Sequence, residues 1–310
     1  MTEYYLAPLN KLGNLAFREL ALIGGADYVF SEMVKVDDLL TGDEVQLKKI
    51  TIPKQQQEKT IIQISCEDIN LIEKGVDFIV RTNSKIKEIN YNMGCPQSSL
   101  CQREVGGGIL KNQEKIKQVC NLLQKSCKKY NITPSVKVRI GMTRDKINII
   151  ENVQIIKEQK IKKIYIHGRV LRDSYVRKAT HNEIGKVVDK FKDLEIIGNG
   201  DIKDLESQNK MIKTKCKGIL IGRAALENPF IFENLRNNIE ENNKSGVDIM
   251  QRKDMIIKYL GFAKTYNLTI SHIKANIAYM TKGVIGGSDF RDKINNIDNL
   301  DEIVEIIDIK

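Results

Sequence analysis

Short runs of apolar residues recur between Tyr4 and Ile221, and most are separated by segments with helical spacing of apolar positions. Runs of this length are typical of buried strands, and they comprise Tyr4–Ala7, Tyr28–Phe30, Ile61–Ser65, Glu88–Met93, Ser135–Ile140, Lys163–His167, Glu195–Gly198 and Gly218–Ile221. The pattern predicts helices at Asn14–Ile23, Glu67–Val80, Gln113–Lys128, Ile147–Gln159, Glu183–Phe191 and Leu205–Lys213.

Strands that alternate with helices indicate a parallel sheet of the α/β class. Eight strands in this order favour a (β/α)8 TIM barrel, whose strands close into a ring. A doubly wound sheet is the alternative, but the G-x-G-x-x-G fingerprint is absent after the first strand. The polar stretch Val34–Gln57 predicts an irregular excursion before the third strand.

The chain changes character after the eighth strand. The segment Asn237–Gly246 is polar and indicates a linker. Helical patterns follow it, among them Arg252–Tyr266 and Ser271–Thr281. We therefore predict a barrel domain over residues 1–236 and a small C-terminal helical domain over residues 247–310.

Composition narrows the class of protein. Of the 310 residues, 41% are hydrophobic and 29% are charged, which excludes a disordered or fibrous chain. No apolar run is long enough to span a membrane, and the N-terminus lacks the pattern of a signal peptide. We therefore expect a cytoplasmic monomer with no membrane partner, whose six Cys are reduced. With no Cys-x-x-Cys pair, we expect no metal site.

The formal net charge of +10 lies entirely in residues 1–247. In the C-terminal part, a basic stripe precedes an acidic tail that begins at Asp298. Such a stripe fits a polyanion or a solvated helical face, and charge alone does not decide between them. If the partner is a polyanion, we expect the acidic tail to point away from it. The basic stripe comprises Arg252, Lys253, Lys258, Lys264, Lys274 and Lys282, against Asp254.

Polar residues and glycines follow the predicted strands. Active sites of barrels lie at the carboxyl ends of the strands, so these residues are expected to gather at one rim. Lys137 and Arg139 alternate on the fifth strand, so both side chains should face the interior. The other rim positions are Ala7-Pro8, Gln63, Asn92-Met93-Gly94-Cys95-Pro96, His167-Gly168-Arg169, Gly198-Asn199-Gly200-Asp201 and Gly222-Arg223.

The turns after the seventh and eighth strands predict a phosphate site. Asn199-Gly200 and Gly222-Arg223 occupy the two places where barrels frequently bind phosphate. Glycines allow backbone N–H groups to approach the anion, and Arg223 can pair with it.

Three side chains of the rim carry reactive chemistry. Cys95 is either a small buried thiol or, because it follows a strand in a Gly-Cys-Pro turn, an acid or nucleophile in the pocket. Cys101 is a possible second thiol of the same loop. His167 is expected to contact a ligand, and Lys137 inside a barrel requires a compensating ligand. Structural roles are expected for Cys66, Cys120, Cys127, Cys216, His181 and His272.

These residues carry a resemblance to the tRNA-dihydrouridine synthase family, and it covers nearly the whole chain. The pairing of Asn92-Met93-Gly94-Cys95-Pro96 with His167-Gly168-Arg169 is its most specific part. Further markers are Leu6-Ala7-Pro8, Phe17-Arg18, Ser31-Glu32-Met33, Gly106-Gly107-Gly108, Val136-Lys137-Val138-Arg139-Ile140-Gly141, Tyr175, Ile197-Gly198-Asn199-Gly200-Asp201, Ile221-Gly222-Arg223-Ala224-Ala225, Asn228-Pro229, His272, Tyr279, Lys282-Gly283 and Phe290-Arg291.

The resemblance implies an FMN enzyme that takes electrons from NADPH or NADH and reduces specific uridines in tRNA to 5,6-dihydrouridine. Hydride would pass from FMN N5 to uracil C6, and Cys95 would donate the proton to C5. Asn92, Arg139 and Arg169 would contact the substrate, with Lys137 near the N1/O2 edge of the flavin. The implied cofactor-binding residues are Ala7, Pro8, Gln63, Lys137, His167, Asn199, Gly200, Asp201, Gly222 and Arg223.

One position departs from the family pattern. Ser99 stands where the family usually carries a basic residue, and Arg103 and Lys111 are candidates to replace it. Two other functions stay open: a flavin barrel acting on a free small molecule, as dihydroorotate dehydrogenases and ene-reductases do, and an RNA-binding or folding-assistance module with a relic barrel. The sequence does not specify the modified uridine or the choice between NADPH and NADH.

Overall fold

Eight parallel strands close into a barrel in the computed structural model, which describes residues 2–173, 176–239 and 247–308. The first strand pairs with the last, from Glu3 opposite Gly218 to Leu6 opposite Ile221. The prediction of a (β/α)8 barrel is therefore confirmed. Its strands are β1 Glu3–Leu6, β2 Tyr28–Phe30, β4 Thr60–Ser65, β5 Glu88–Met93, β6 Thr133–Arg139, β9 Lys163–His167, β10 Glu195–Asn199 and β11 Gly218–Ile221.

Three short strands lie outside this ring. β3, Val34–Lys35, pairs with the end of β4. β7, Gly141–Thr143, and β8, Lys146–Ile147, form an antiparallel ribbon directly after β6. All three therefore extend the carboxyl end of the barrel.

Side chains alternate between two cores, as the pleat of each strand requires. One apolar cluster fills the barrel interior with Tyr5, Ala7, Phe30, Ile61, Tyr165, Ile197 and Leu220. A larger cluster joins the outer faces of the strands to the helices. At the amino end of the barrel, Lys163 Nζ lies 3.1 Å from both Glu88 and Glu195 and 5.0 Å from the centre of the Tyr5 ring. Charged and aromatic side chains therefore fill the amino end of the barrel.

Helices surround the strands and begin at defined caps. The side chain of Asn14 accepts a hydrogen bond from Phe17 N, and that of Asn112 accepts one from Lys115 N. Such bonds satisfy amide groups that a helix start leaves unpaired. The helices of this layer are α1 Leu15–Ile23, α5 Ile72–Thr82, α6 Ser98–Gln102, α7 Gln113–Lys128, α8 Ile149–Glu158, α9 His181–Lys190, α10 Leu205–Ile212, α11 Arg223–Glu227 and α12 Ile231–Arg236, with 3₁₀ turns at Ile69–Leu71 and Gly106–Lys111.

The expected irregular excursion over Val34–Gln57 is wrong. The segment folds into β3 and three short helices, α2 Val36–Leu40, α3 Glu44–Ile50 and α4 Lys54–Gln57. Each helix is too short to show a clear apolar period in the sequence. Asp43 caps α3 by accepting a hydrogen bond from Gln46 N at 2.9 Å.

Among residues 247–308, four helices follow the barrel: α13 Ile249–Thr265, α14 Ile270–Met280, α15 Gly287–Asn295 and α16 Leu300–Asp308. Buried Asn276 joins them to the barrel, because its Oδ1 accepts from Asn14 Nδ2 at 2.8 Å and from Tyr259 OH at 3.0 Å. Its Nδ2 donates to Leu12 O at 3.0 Å. These bonds fix α14 against the loop that follows β1.

Two predicted features fall partly or wholly outside the described residues, namely Tyr175 and residues 240–246 of the expected linker. Within residues 2–173, 176–239 and 247–308, no helix has both the length and the apolar character needed to cross a bilayer.

Candidate active site

A cleft of about 2230 Å³ opens at the carboxyl ends of the barrel strands. All fourteen residues to which the family resemblance gives a catalytic, cofactor-binding or substrate-binding role line it, although the segments that carry them are far apart in the chain. These residues are Ala7, Pro8, Gln63, Asn92, Cys95, Lys137, Arg139, His167, Arg169, Asn199, Gly200, Asp201, Gly222 and Arg223.

Hydrogen bonds with the Asn92 side chain and with the glycine run at residues 106–108 hold the Gly-Cys-Pro turn in place. Asn92 Oδ1 accepts from Gly94 N at 3.0 Å and from Cys95 N at 2.9 Å, and Gly107 N donates to Cys95 O at 2.9 Å. A Cβ added at Gly106, whose φ is +57°, would lie 2.9 Å from Cys95 Cβ. The glycine run therefore lets this loop pack directly against the turn that carries the thiol.

The two cysteines of this loop differ in their surroundings. Cys95 is partly exposed and lines the cleft. Cys101 lies behind it, with Sγ 3.4 Å from Cys95 O. Burial raises the pKa of the Cys101 thiol, and the nearby Cys95 adds to that effect. Cys95 is thus the thiol that a molecule in the cleft can reach.

Lys137 and Arg139 both point inward from β6, as their alternation predicted, but their environments differ. Burial, together with the positive charge of Arg139, lowers the pKa of the Lys137 ammonium to about 7. Among the described residues, no hydrogen bond contributes to the pKa of the Lys137 ammonium. Arg139 instead donates to Gly94 O and Val170 O, each at 2.9 Å. Arg139 therefore braces the turn of Cys95.

His167, Arg169 and Asp201 form a chain along the rim. Arg169 is fully buried, and its Nη2 donates to both carboxylate oxygens of Asp201 at 2.6 Å. Arg169 Nη1 lies 3.2 Å from His167 Nε2. Since a guanidinium only donates, that ring nitrogen accepts, and the imidazole is neutral with its proton on Nδ1. Burial and four neighbouring cations hold the pKa of His167 well below its usual range.

The ends of β10 and β11 present backbone donors. Neither Gly200 N nor Gly222 N has a hydrogen-bond acceptor among the described residues. Gly200 has a φ of +132°, and a Cβ there would lie 2.7 Å from Ala179 Cβ. A Cβ at Gly222 would fill space beside Ala7, at 3.7 Å from its Cβ. The glycines thus leave room for an anion next to two N–H groups.

Side chains around these glycines fix the loops. Asn199 Nδ2 donates to Leu220 O at 2.8 Å, which ties β10 to β11. His181 Nε2 donates to Gly200 O at 2.7 Å, consistent with the structural role expected for it. Arg223 is half exposed, and its Nη2 donates to Asp201 at 3.0 Å. Asp201 thus joins Arg169 to Arg223.

The floor of the cleft contains polar residues that the sequence reasoning missed. Gln63 and Asn92 are joined, because Asn92 Nδ2 donates to Gln63 Oε1 at 2.7 Å. Beneath them lie Asn90, Ser135 and Glu88, all buried. Their signal in the sequence was the alternation of polar residues at 88, 90 and 92 on β5 and at 135, 137 and 139 on β6.

Neither candidate for the basic role at Ser99 reaches the cleft. Arg103 Nη1 lies 2.5 Å from Glu67, and Lys111 Nζ lies 3.4 Å from Glu104. Ser99 itself is exposed and accepts from Gln97 Nε2 at 3.1 Å. Arg103 and Lys111 therefore serve surface ion pairs here.

The basic stripe also differs from its prediction. Arg252 is buried, with 6% of its surface exposed. Lys264 Nζ lies 2.8 Å from Asp301 and Lys274 Nζ 3.6 Å from Asp298, so the acidic tail packs onto the stripe rather than pointing away from it. Lys282 is the stripe residue that lines the cleft, 3.5 Å from Glu227.

The fold and the site together define an α/β-barrel enzyme with a thiol and several cations at its carboxyl rim. The chain belongs to the dihydrouridine synthase family: the family model described as Dihydrouridine synthase (Dus) matches residues 5–310.

Relatives of known name agree with this membership. A protein named probable tRNA-dihydrouridine synthase, from Aquifex aeolicus, is 28% identical over 94% of this chain and 90% of its own length. A protein named tRNA-dihydrouridine synthase B, from Pasteurella multocida, is 26% identical over 94% of this chain and 88% of its own length. A solved structure of a FabK mutant from Thermotoga maritima has a TM-score of 0.45 at 10% identity over 74% of this chain and 63% of that one, a likeness too weak to support an inference.

Proposed function

We propose that this protein reduces uridines in tRNA to 5,6-dihydrouridine, with FMN bound in the cleft and NADPH or NADH as the electron source. Membership of the dihydrouridine synthase family supports the reaction. The observation that carries the assignment to this cleft is the convergence of Cys95, Lys137 and the glycine turns of β10 and β11 on one rim.

The residues of the rim fit FMN. A phosphate group requires N–H donors and positive charge, which Gly200 N, Gly222 N and Arg223 supply. The Lys137 ammonium, to whose pKa no hydrogen bond among the described residues contributes, suits an electron-rich ring edge. Gln63, Asn199 and His167 would complete the site, together with Ala7 and Pro8, which line the cleft beside Gly222. Asp201 would act by orienting Arg169 and Arg223.

When bound, FMN supplies the hydride that uracil C6 receives. Cys95 would give its thiol proton to C5, so that the C5–C6 double bond becomes saturated at both carbons. Asn92 and Arg139 hold the turn of Cys95 in place, through Cys95 N and Gly94 O respectively. The remaining N–H of Asn92 is available to a carbonyl oxygen of the base. Arg169, locked by Asp201, would keep the substrate side of the rim rigid.

A base inside a folded tRNA must leave its stack to reach the barrel interior. The width of the cleft and the cations on its rim, Lys178, Lys203 and Lys282 among them, suit a phosphate backbone that passes over the site. These features favour tRNA over the free small molecules that other flavin barrels reduce.

The experiment that tests the proposal uses the purified protein with FMN and NADPH. We expect a transcript of unmodified tRNA to gain the mass of two hydrogens at specific uridines, while free uridine under the same conditions stays unchanged. Equal reduction of free uridine would favour a small-molecule flavin enzyme. Tight tRNA binding with no gain in mass would favour a binding module.

A further inference from the structure

A chain of buried hydrogen bonds crosses the barrel from its amino end to the Cys95 turn. Ser135 Oγ donates to Glu88 Oε1 at 2.6 Å, and Asn90 Nδ2 donates to Ser135 Oγ at 2.8 Å. Gln63 Nε2 then donates to Asn90 Oδ1 at 2.8 Å, and Asn92 Nδ2 donates to Gln63 Oε1 at 2.7 Å. Each of these residues is at most 7% exposed, so water does not replace the missing partner if one link is removed.

The upper end of the chain fixes its direction. Gly94 N and Cys95 N are backbone donors, so the Asn92 atom that they contact has to be the oxygen. The amide nitrogen of Asn92 therefore faces Gln63, which must offer its oxygen there. By the same reasoning Gln63 turns its nitrogen to Asn90, and Asn90 turns its nitrogen to Ser135.

The lower end requires the same direction independently. Glu88 Oε2 pairs with Lys163 at 3.1 Å, and Oε1 also accepts from Tyr165 OH at 2.9 Å. A carboxylate paired in this way only accepts, so the hydroxyl proton of Ser135 points to Glu88. Ser135 can then receive only a donor from above, which is the Asn90 nitrogen. The two ends agree, and every amide orientation between them is determined.

From this agreement we infer that Asn90 and Ser135, anchored by Glu88, are positioning residues for the active site. They hold Gln63 and Asn92 so that each amide has one N–H left for a ligand, while the Asn92 oxygen is fully used by Gly94 N and Cys95 N. These N–H donors suit carbonyl oxygens, which uracil carries at C4 where cytosine carries an amino group. The same chain holds Cys95 in register through Asn92. The catalytic consequence rests on the proposed function, whereas the positioning does not.

The test is amide hydrogen exchange, measured by NMR on the protein without tRNA. In Ser135→Ala, the amide protons of Gly94 and Cys95 should exchange about tenfold faster than in the wild type, as expected for the weakening of one buried hydrogen bond. Gly168 N, which donates to Asn199 O in another loop at 2.9 Å, should be unchanged. Ser135→Thr, which keeps the hydroxyl, should restore the slow exchange.

Ser126→Ala is the matched control, because Ser126 is also buried and donates to Leu122 O at 2.8 Å inside α7. It should leave Gly94 and Cys95 unaffected. Unchanged exchange in Ser135→Ala, or fast exchange in both Ser135 variants or in Ser126→Ala, would overturn the positioning role.

A kinetic measurement separates this role from the proposed function. Ser135→Ala should lower kcat for tRNA about tenfold and leave KM for tRNA within about twofold, since the chain positions the reacting groups but touches no phosphate. A KM for tRNA that rises about tenfold while kcat stays unchanged would contradict the positioning role. If the wild type does not reduce tRNA at all, the hydrogen-exchange measurement still tests the positioning role, because it does not depend on enzymatic activity.

Discussion

Cys95 and Cys101 are close neighbours in one loop, yet only Cys95 lines the cleft. A general acid contributes a factor of about 10²–10⁴ in rate. Cys95→Ala should therefore slow the reoxidation of reduced enzyme by tRNA by about that factor, while FMN binding and flavin reduction by NADPH stay nearly intact. The measurement is anaerobic single-turnover reoxidation with one tRNA.

Cys101→Ala is the control for this variant, because its thiol faces Cys95 O rather than the cleft. It should reoxidise at close to the wild-type rate. Normal reoxidation in Cys95→Ala, or an equal loss in Cys101→Ala, would remove Cys95 from the role of acid.

Lys137 makes FMN binding depend on pH. Because burial lowers the pKa of its ammonium to about 7, the free protein loses this charge as the pH rises through 7. Binding that needs the charged form must then take up a proton, so FMN affinity should fall by up to about tenfold per pH unit above pH 7. Titration of the apoprotein by flavin fluorescence measures this decline.

Lys137→Met keeps most of the length of the side chain and removes its charge. Its FMN affinity should be weaker than that of the wild type at pH 6 and nearly constant between pH 7 and pH 9. Parallel pH curves for the two proteins would show that Lys137 does not contact the cofactor.

At the scale of elements, the turn after β10 depends on Gly200. With φ at +132° and a prospective Cβ 2.7 Å from Ala179 Cβ, Gly200→Ala combines backbone strain with a clash. We expect the free energy of unfolding to fall by about 1–3 kcal/mol and FMN retention to weaken. Denaturant unfolding without added FMN measures the first effect, and the flavin content of the purified protein measures the second.

Gly42→Ala is a control for this variant, because Gly42 also has a positive φ. Gly42 has a φ of +87° but nothing within 4 Å of a prospective Cβ, so it reports strain alone, about 1 kcal/mol. Gly200→Ala should lower the free energy of unfolding more than Gly42→Ala does. Of the two variants, only Gly200→Ala should be purified with less bound flavin. Equal costs with full flavin content would show that the turn after β10 is not a binding element.

The sequence predicted long elements better than short ones. The helix Gln113–Lys128 was placed with the observed bounds, because its apolar period persists over several turns and Asn112 caps it. The segment Val34–Gln57 was misjudged because helices of four to seven residues show little periodicity. Residues that support the site from below, such as Asn90 and Ser135, carry no motif, since their partners lie on other strands.

At the scale of the whole molecule, the charge along the chain gave an incomplete picture of the basic stripe. A sequence shows that lysines precede an acidic tail but not that Asp298 and Asp301 fold back onto Lys274 and Lys264. The sequence also did not show that Arg252 lies on the buried face of α13. Lys282 is the residue of the basic stripe that lines the cleft, where it can contact a bound polyanion.

Lys282 and Lys264 therefore form a matched pair for tRNA binding. Lys282→Ala should weaken tRNA binding and reduce the salt slope by about 1, as expected for the loss of one phosphate contact. Lys264→Ala should have a smaller effect, because Lys264 pairs with Asp301 and, unlike Lys282, does not line the cleft. Binding isotherms at several salt concentrations measure both, and equal slopes in the two variants would contradict this placement of the tRNA.

We propose that this cleft reduces uridine in tRNA and that Cys95 supplies the proton. The most direct measurement is mass spectrometry of tRNA from cells that lack the protein and from the same cells supplied with the wild type or with Cys95→Ala, with each dihydrouridine mapped to its position. We expect that at least one dihydrouridine disappears without the protein, returns with the wild type and stays absent or strongly reduced with Cys95→Ala. Identical dihydrouridine maps in all of these cells would contradict it.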